Sequence, residues 1–399
     1  MTVESVLGPY WEMPGTTVRA VEAELARLWH EATSEGDRVT EKGVSDARTS
    51  VMNLIITAPD LQAGDRILET LLVLGTRHPS RAIILHADPN ADGDPLDARI
   101  GTHCHDGENG NGRVCFEQLA LTVRGEAARH LDGIVAPLLI HDLPIDVWWP
   151  GDPPFDDPVF NQLVELGDRL VVNASDFGNL PAGLKRLAAI RRRSGVGDVT
   201  WERLAPWHEL TAQFFDAPRF RRYLPNLSRL AIRYATPEVG HQAESQVPEH
   251  ILGTRSPAAA ALLYAGWIAT RLAWRRAQWR EPPVEGGLHL VLEGRYEMVD
   301  LVLEPVPTAA VPPGELTSVR LRAFGEAGSA EFIIDRPESE AAVVANADGM
   351  TAYIRRFPLL PESEAEVIRR QLILDQRDLT YEDALRAAAI LASTTAEAR

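Results

Sequence analysis

A strand, a helix and a second strand follow one another within residues 138–176, and this succession constrains the fold most. The apolar stretch 146–149 (DVWW) predicts the first strand, and Arg169 to Asn173 predicts the second. Between them Asp157 precedes Pro158, which is the pattern of a helix N-cap followed by a proline in the first turn. Two strands joined by one short helix predict a βαβ unit with parallel strands, as found in sheets that carry helices on both faces.

A second unit of the same kind is predicted earlier in the chain. Residues 50–58 and 82–86 are apolar runs of strand length, and residues 61–76 between them have an apolar stripe at helical spacing. We therefore predict an α/β fold with an N-terminal domain over residues 1–198, built on a mixed, largely parallel sheet with flanking helices. An α+β domain with a mainly antiparallel sheet is predicted over residues 199–399. A length of 399 residues agrees with two domains.

The second half alternates short strands with proline and glycine, after one long predicted helix at residues 257–280. The other elements predicted there are helix 200–216, strands 228–235, 289–292, 298–304, 318–323, 330–335 and 341–345, and helices 363–375 and 380–393. In the long helix, Arg271, Trp274, Arg275 and Trp279 form a stripe of tryptophan and arginine. Such residues are enriched in protein interfaces, although tryptophan at helical spacing more often packs in a core. These four residues are candidate contacts for a protein partner.

The charge of the chain limits the classes of partner. A formal net charge of −17 argues against a general role in binding nucleic acids or anionic membranes. A transmembrane helix needs about eighteen consecutive apolar residues, and no apolar run in the sequence is that long. The first residues also lack the basic region followed by an apolar region that is typical of a secretory signal. The sequence has 2 cysteines, too few for a disulfide framework, so we expect a cytoplasmic location.

Both cysteines, Cys104 and Cys115, lie in one predicted hairpin over residues 98–124. Either Asn109-Gly110 or Asn111-Gly112 suits its turn. With the first turn the two cysteines lie directly opposite each other, and with the second they do not. Even when the cysteines lie opposite each other, they would occupy a hydrogen-bonded position of the antiparallel ladder, where side chains are farther apart than a relaxed disulfide prefers. A disulfide there would be strained and easily reduced. They are a candidate redox pair, and the simpler interpretation is two small apolar thiols in strands.

His103 and His105 flank Cys104 in the same strand. Successive side chains of a strand point to opposite faces, so the two histidines and the thiol cannot bind one ion together. No CxxC or HExxH motif accompanies them, and no metal site is predicted.

Catalytic signatures were sought and none was found. The sequence contains no GxGxxG after a strand, no phosphate-binding GxxxxGK[ST] and no GxSxG. Residues 195–197 (Gly-Val-Gly) follow a predicted helix, which argues against a dinucleotide site. Asp152, Asp156 and Asp157 surround a helix start and are better explained by capping than by acid–base chemistry. No catalytic residue and no cofactor are predicted.

Three stretches resemble one known family. They are LLIHDLPIDVWWPG at 138–151, RLVVNASDF at 169–177 and RTSVMNLII at 48–56, and they are similar to segments of the OpcA family. The resemblance runs through most of the chain and is strongest from about Arg48 to Phe177. Members of that family are glucose-6-phosphate dehydrogenase assembly proteins without catalytic activity. The resemblance therefore implies that this chain binds that dehydrogenase and promotes its active oligomer.

Two functions from different classes follow. The first, implied by the resemblance, is a non-catalytic assembly factor and allosteric activator of glucose-6-phosphate dehydrogenase in the oxidative pentose phosphate pathway. The alternative is a sugar-phosphate-binding α/β protein or metabolic enzyme, with its site at the carboxyl ends of the parallel strands. The missing motifs favour the first, and the family resemblance decides between them.

Overall fold

The computed structural model describes residues 10–36, 47–48, 50–75, 79–106, 113–190, 195–238, 254–325, 328–359, 362–373 and 377–396. The strands of the first half are β1 (Tyr10–Met13), β2 (Ala47–Arg48), β3 (Met52–Thr57), β4 (Ser80–Asp88), β5 (Leu96–Asp106), β6 (Arg113–Arg124), β7 (Ile145–Trp148), β8 (Arg169–Val172) and β9 (Val196–Asp198). Its helices are α1 (Val18–Gly36), α2 (Leu61–Gly75), α3 (Leu131–Val135), α4 (Pro158–Leu166) and α5 (Leu180–Ala189).

The strands of the first half form one sheet in the described part of the chain, in the order β1-β5-β6-β4-β3-β7-β8-β9, with β2 beside β6. Strands β6, β4, β3, β7, β8 and β9 are mutually parallel, whereas β5 near one edge pairs antiparallel with both β6 and β1. In chain order the parallel strands are arranged 3-2-1-4-5-6, which is the order of doubly wound dinucleotide-binding folds. The predicted N-terminal fold class, a largely parallel mixed sheet with flanking helices, is confirmed.

The side chains of β3 show how the sheet is buried on both faces. Ile55 points to one face, into an apolar cluster that includes side chains of α1, α3, α4 and α5. Leu54 and Ile56 point to the other face, where α2 covers them. Because both faces are apolar, the sequence of β3 is a continuous apolar run and not an alternating one. Asp157 begins α4 as predicted, since its carboxylate accepts a hydrogen bond from the Val159 N–H at 2.6 Å.

The second half contains a second, mainly antiparallel sheet. Its strands are β10 (Leu227–Thr236), β11 (Arg275–Arg280), β12 (Leu288–Glu293), β13 (Met298–Pro307), β14 (Leu316–Gly325), β15 (Gly328–Asp335), β16 (Glu340–Ala347) and β17 (Met350–Pro358). Its helices are α6 (Val199–Glu202), α7 (Ala205–Asp216), α8 (Pro218–Arg221), α9 (Ala259–Arg271), α10 (Glu364–Ile373) and α11 (Leu379–Ala396). The strand order is β11-β12-β13-β10-β14-β15-β16-β17, and among these neighbours only β10 and β13 are parallel. The predicted α+β class of this half is confirmed.

The last two helices return to the first half. Val367 and Ile368 of α10 are buried against Leu54 and Trp148 of the first sheet. Helix α11 packs between α9 and α5, so it touches both halves. One apolar core runs from the first sheet into the second. The division of the chain into domains at residues 198 and 199 stays a proposal.

The long helix predicted over residues 257–280 is wrong beyond its first half. Helix α9 ends at Arg271, Ala273 adopts a left-handed φ of 54°, and residues 275–280 form β11, which pairs antiparallel with β12. Trp274 is buried in the core at the turn between them. The tryptophan and arginine spacing suggested a helix, but pairing with β12 satisfies the same backbone groups, and helical spacing does not reveal that neighbouring strand.

Candidate functional site

The carboxyl edge of the parallel strands carries a buried polar network at the place where open α/β sheets usually bind ligands. Strand β9 ends at the fully buried Asp198, whose Oδ1 accepts hydrogen bonds from the backbone N–H groups of Ala174 at 3.0 Å and Thr200 at 2.8 Å. The Thr200 hydroxyl donates to Asn173 at 2.7 Å and accepts from the Ser175 N–H at 3.0 Å. Burial raises the pKa of Asp198 to about 6, against the effect of these hydrogen bonds. The network therefore joins the ends of β8 and β9.

Two contacts tie the last helices to this sheet. The Tyr381 hydroxyl of α11 donates to Asp198 Oδ2 at 3.1 Å. Arg169 of β8 donates to the Gln371 carbonyl of α10 at 2.6 Å and lies 3.9 Å from the Asp146 carboxylate on β7. Burial raises the pKa of Asp146 to about 7, although the Arg169 guanidinium acts in the opposite direction. These buried groups bind one another and connect α10 and α11 to the first sheet.

The glycines at residues 195–197 serve packing. Gly195 has a left-handed φ of 83°, and Gly197 lies in β9. A Cβ on Gly197 would stand 2.6 Å from Arg169 Nη2, so glycine makes room for the buried guanidinium. This explains the Gly-Val-Gly sequence without a dinucleotide.

The doubly wound order raises the question of a nicotinamide dinucleotide, and the residues at the relevant turn do not fit one. In such folds the turn after the first parallel strand is rich in glycine, and its backbone N–H groups meet the pyrophosphate at the helix N-terminus. Here β3 is followed by Ala58, Pro59 and Asp60. Pro59 has no N–H group, and the Asp60 carboxylate accepts a hydrogen bond from the Ala63 N–H at 2.7 Å. A carboxylate thus occupies the N-terminus of α2 and would repel a phosphate.

A cavity of about 380 Å³ lies between the carboxyl edge of the first sheet and one end of the second, and we call it the inter-sheet cavity. Ser175 and Thr200 line it from the first sheet. Arg203, which follows α6, and Trp207 of α7 line a second wall. Arg336, which follows β15, reaches it from the second sheet. The volume is within the range of about 300–1,000 Å³ that is typical of small-molecule sites.

Charged side chains in the wall of the inter-sheet cavity are mostly paired. Arg336 is 4% exposed and forms an ion pair with Glu315. Glu362 binds Arg370 through two hydrogen bonds, of 2.5 and 2.6 Å. Within the described ranges, Arg203 forms no ion pair. Sequence reasoning missed these residues because they come from segments far apart in the chain. The polar residues that follow β8 and β9 were a signal that could have drawn attention to this edge.

The predicted partner contacts occupy one edge of the second sheet. Arg271 ends α9 and is exposed, and Arg275 and Trp279 lie on β11, where Trp279 is 36% exposed. Trp274 is 8% exposed and packs in the core, so the expectation that it is exposed is wrong. The structure thus brings three of the four residues to the surface of this edge, on a strand and a helix end.

The hairpin that holds the cysteines has the register that places them opposite each other. Cys104 of β5 is the partner of Cys115 of β6, and Asp106 is the partner of Arg113. This is the register that an Asn109-Gly110 turn produces, although the turn itself lies outside the described residues. The side chains of both cysteines, of His103 and of His105 also lie outside them.

Acidic side chains near α4 and in the turn before β7 have local structural contacts or lie exposed. Asp157 caps α4, and Asp156 forms an ion pair with Arg186 of α5. His141 and Asp142 form an exposed turn, in which Asp142 has a φ of 65°. Across the residues that are described, His, Cys, Asp and Glu side chains nowhere gather in threes that could hold a metal ion. In the same ranges no helix has both the length and the apolar character to span a bilayer.

Comparison with known proteins gives two family matches in consecutive order. The model of the glucose-6-phosphate dehydrogenase subunit N-terminal domain matches residues 73–189, and that of its C-terminal domain matches residues 194–385. OpcA of Synechocystis sp. is 29% identical over 59% of this chain and 45% of its own length. OpcA of Synechococcus elongatus is 27% identical over 80% and 69%, and OpcA of Nostoc punctiforme is 28% identical over 62% and 50%. All three names include a provisional assignment to the OxPP cycle. For two of them the match spans half or less of the relative's own length.

Solved structures of low sequence identity align over most of this chain. An oxidoreductase domain protein from Kribbella flavida aligns with a TM-score of 0.50 and 12% identity, covering 87% of this chain and 97% of that one. A levoglucosan dehydrogenase in complex with NADH aligns with a TM-score of 0.48 and 11% identity, over 87% and 97%. The first likeness shows the fold alone, and the second carries no argument. A shared fold does not imply a shared chemistry.

Proposed function

This chain belongs to the OpcA family of glucose-6-phosphate dehydrogenase assembly proteins, and we propose that it is a non-catalytic assembly factor and allosteric activator of that dehydrogenase. The observation that carries the proposal is the ordered match of both family domains, over residues 73–189 and 194–385. The names of the three relatives support a role in the oxidative pentose phosphate pathway. In this proposal the protein acts in the cytoplasm, where a chain with 2 cysteines needs no disulfide framework.

The turn after β3 supports a role without catalysis. Pro59 and Asp60 replace the glycine-rich cradle that a doubly wound dehydrogenase uses to bind its dinucleotide. The polar groups at the ends of β8 and β9 bind one another, as Asp198 does with Thr200 and Tyr381. No nucleophile with an adjacent base is found among the described residues of this edge.

The proposed contact with the dehydrogenase is the edge formed by Arg271 and β11, which we call the basic edge. Arg275, Arg276 and Arg280 on β11 are exposed, and Trp279 stands among them. Strand β11 is the outermost strand at one end of the second sheet in the described chain. A cluster of arginines is unusual on a chain with a net charge of −17, so the complementary surface is acidic. Tryptophan and arginine also carry much of the binding energy in many interfaces.

Activation in this proposal is a linkage effect. A protein that binds the assembled dehydrogenase more tightly than its separated subunits shifts the equilibrium toward assembly by that difference in affinity. No chemistry by this chain is needed. By reciprocity, a dehydrogenase ligand that favours the active oligomer tightens the binding of this chain by the same factor.

The test of the contact compares binding of purified parent and variant chains to the dehydrogenase. Because hot-spot residues contribute about 2 kcal/mol or more, Arg275→Glu and Trp279→Ala are each expected to weaken binding by about thirtyfold. Arg19→Glu, on the exposed face of α1, is the matched charge reversal, and Phe324→Ala, at an exposed aromatic, is the matched truncation; both should bind as the parent does. Undiminished binding by Arg275→Glu and Trp279→Ala rejects the basic edge as the contact. Absence of binding by the parent rejects the assembly function itself.

The alternative of a sugar-phosphate-binding α/β protein or metabolic enzyme is favoured by one observation, the inter-sheet cavity at the carboxyl edge. The two functions differ in what they predict for the chain on its own. An assembly factor needs the dehydrogenase to show an effect, whereas an enzyme turns over a sugar phosphate without it.

A further inference from the structure

The inter-sheet cavity is a site of defined chemistry that the assembly function does not use. Its wall combines hydrogen-bond acceptors with guanidinium groups and an indole, while much of the rest is apolar, including Leu204, Pro313 and Val367. A largely apolar cavity with a few converging polar groups is the usual form of a small-molecule site.

One hydroxyl and two carboxylates in the wall can accept hydrogen bonds. The Thr200 hydroxyl donates to Asn173, so in its 3.0 Å contact with Ser175 Oγ the serine must be the donor. Ser175 Oγ then retains lone pairs that can accept from a ligand. The carboxylates of Glu315 and Glu362 are acceptors of the same kind. Several acceptors in one cavity suit a ligand with several hydroxyl groups.

One guanidinium in the wall, that of Arg203, is available to an anionic group on the same ligand. The Arg336 charge is offset by Glu315, and the Glu362 charge is offset by Arg370. Arg203 is the remaining guanidinium in the wall, without an ion pair among the described residues. Arg370 also binds Glu202, and the four charged residues that line the cavity, Arg203, Glu315, Arg336 and Glu362, together carry no net charge. The capacity to bind an anion therefore rests on Arg203 and not on an excess of positive charge. Guanidinium groups bind phosphate and carboxylate through charge-assisted hydrogen bonds, and Arg336 adds donors that are buried in the wall.

We propose that the inter-sheet cavity binds a small phosphorylated sugar. Arg203 binds its phosphate, and Ser175, Glu315 and Glu362 accept hydrogen bonds from its hydroxyl groups. The Trp207 indole and the neighbouring apolar side chains contact the ring. This proposal does not rest on the assembly function, and it concerns the chain in the absence of the dehydrogenase.

A ligand in this cavity contacts both halves of the protein at once. Ser175 and Thr200 belong to the edge of the first sheet, and Glu315 and Arg336 belong to the second. Binding therefore stabilises the contact between the halves. If the dehydrogenase prefers the same arrangement, the sugar phosphate and the dehydrogenase bind with positive coupling.

The test is calorimetric titration of the purified full chain with glucose 6-phosphate, using glucose and inorganic phosphate as partial ligands. We expect saturable binding of glucose 6-phosphate at one site and weaker binding of each partial ligand. Arg203→Gln should weaken the binding of glucose 6-phosphate by about tenfold or more, because hydrogen bonds to charged groups contribute about 1.5–3 kcal/mol. Arg203→Lys keeps the charge and should recover part of the affinity. Arg19→Gln, at an exposed arginine on α1, should bind as the parent does.

The proposal is overturned if glucose 6-phosphate shows no saturable binding, or if Arg203→Gln binds it as the parent does. Phosphate that binds as tightly as glucose 6-phosphate overturns the sugar class. Hydrogen–deuterium exchange of the parent chain gives a check that needs no variant. Glucose 6-phosphate should slow exchange in residues 199–216 and 313–316 and leave β11 unchanged. Slowing at β11 without slowing at those residues contradicts the site. None of these measurements involves the dehydrogenase, so their failure leaves the assembly function untouched.

Discussion

Replacing Gly266 with alanine is expected to destabilise the protein, because α9 and α11 cross in close contact at this residue. A Cβ on Gly266 would lie 2.4 Å from the Ala384 carbonyl oxygen and 2.9 Å from the Ala388 nitrogen. Both are backbone atoms of α11, so no side-chain rotation can relieve the clash. The two helices must move apart, and α11 also packs against α5 of the first half.

The size of the effect follows from two opposing contributions. Overpacking a buried contact costs about 1–3 kcal/mol, and a clash with helix backbone lies toward the upper end of that range. Alanine in place of glycine stabilises the helix by about 1 kcal/mol, because alanine has the higher helix propensity. We therefore expect Gly266→Ala to lower the free energy of unfolding by about 1–2 kcal/mol.

The matched control is Gly64→Ala in α2, where the same substitution should have the opposite sign. A Cβ on Gly64 would lie 3.8 Å from Ala58 Cβ and from Ile84 Cγ2, which is ordinary van der Waals contact. Helix propensity and reduced freedom of the unfolded chain then stabilise this variant by about 0.4–1 kcal/mol. Urea unfolding followed by circular dichroism gives both midpoints. If Gly266→Ala is as stable as the parent or more so, the close approach of α9 and α11 is refuted.

Three further predictions concern pH, oxidation and catalysis. Folding raises the pKa of Asp198 from 3.8 to about 6, so its contribution to stability is fully present below pH 3.8 and is lost as the pH rises through about 6. In Asp198→Asn the free energy of unfolding should therefore vary less between these two pH values. A pH dependence equal to that of the parent contradicts the effect of burial on this pKa. Oxidation should change binding to the dehydrogenase only modestly, since a bond between Cys104 and Cys115 would be strained; a large redox response that Cys115→Ser abolishes shows the opposite. The purified chain should reduce no nicotinamide cofactor with any sugar phosphate, and turnover that a single substitution in the inter-sheet cavity abolishes would falsify its non-catalytic role.

Local sequence signals were sufficient for elements whose boundaries depend on neighbouring residues. Asp157 and Pro158 predict the start of α4, and the structure shows the cap that they form. The apolar runs of β3 and β4 predict buried parallel strands, because both faces of the sheet are covered. Strand β11 was missed because its pairing partner, β12, is a separate segment, and periodicity cannot detect that pairing.

The candidate site was less accessible to sequence reasoning, because its residues meet only in the folded chain. Arg203, Glu315 and Glu362 come from segments that are far apart, and their pairing partners decide which charge remains available. Arg275 and Trp279 were chosen as part of a predicted helical stripe of residue types that are enriched in interfaces, and the structure assigns them to a strand edge in place of a helix face. The types of these two residues indicated that they are exposed, whereas their secondary structure depended on the pairing of β11 in the second sheet.

Measurement of the dehydrogenase oligomer distribution with and without this chain tests the central claim most directly. Mass photometry should be carried out at a dehydrogenase concentration where separated and assembled subunits coexist, with activity measured on the same samples. The linkage mechanism predicts that adding the parent chain increases the assembled fraction and that activity rises in parallel, by a factor set by the difference in affinity for the two states. A rise in activity without a change in oligomer distribution or in substrate affinity contradicts that mechanism, and no change in either quantity contradicts the assembly function.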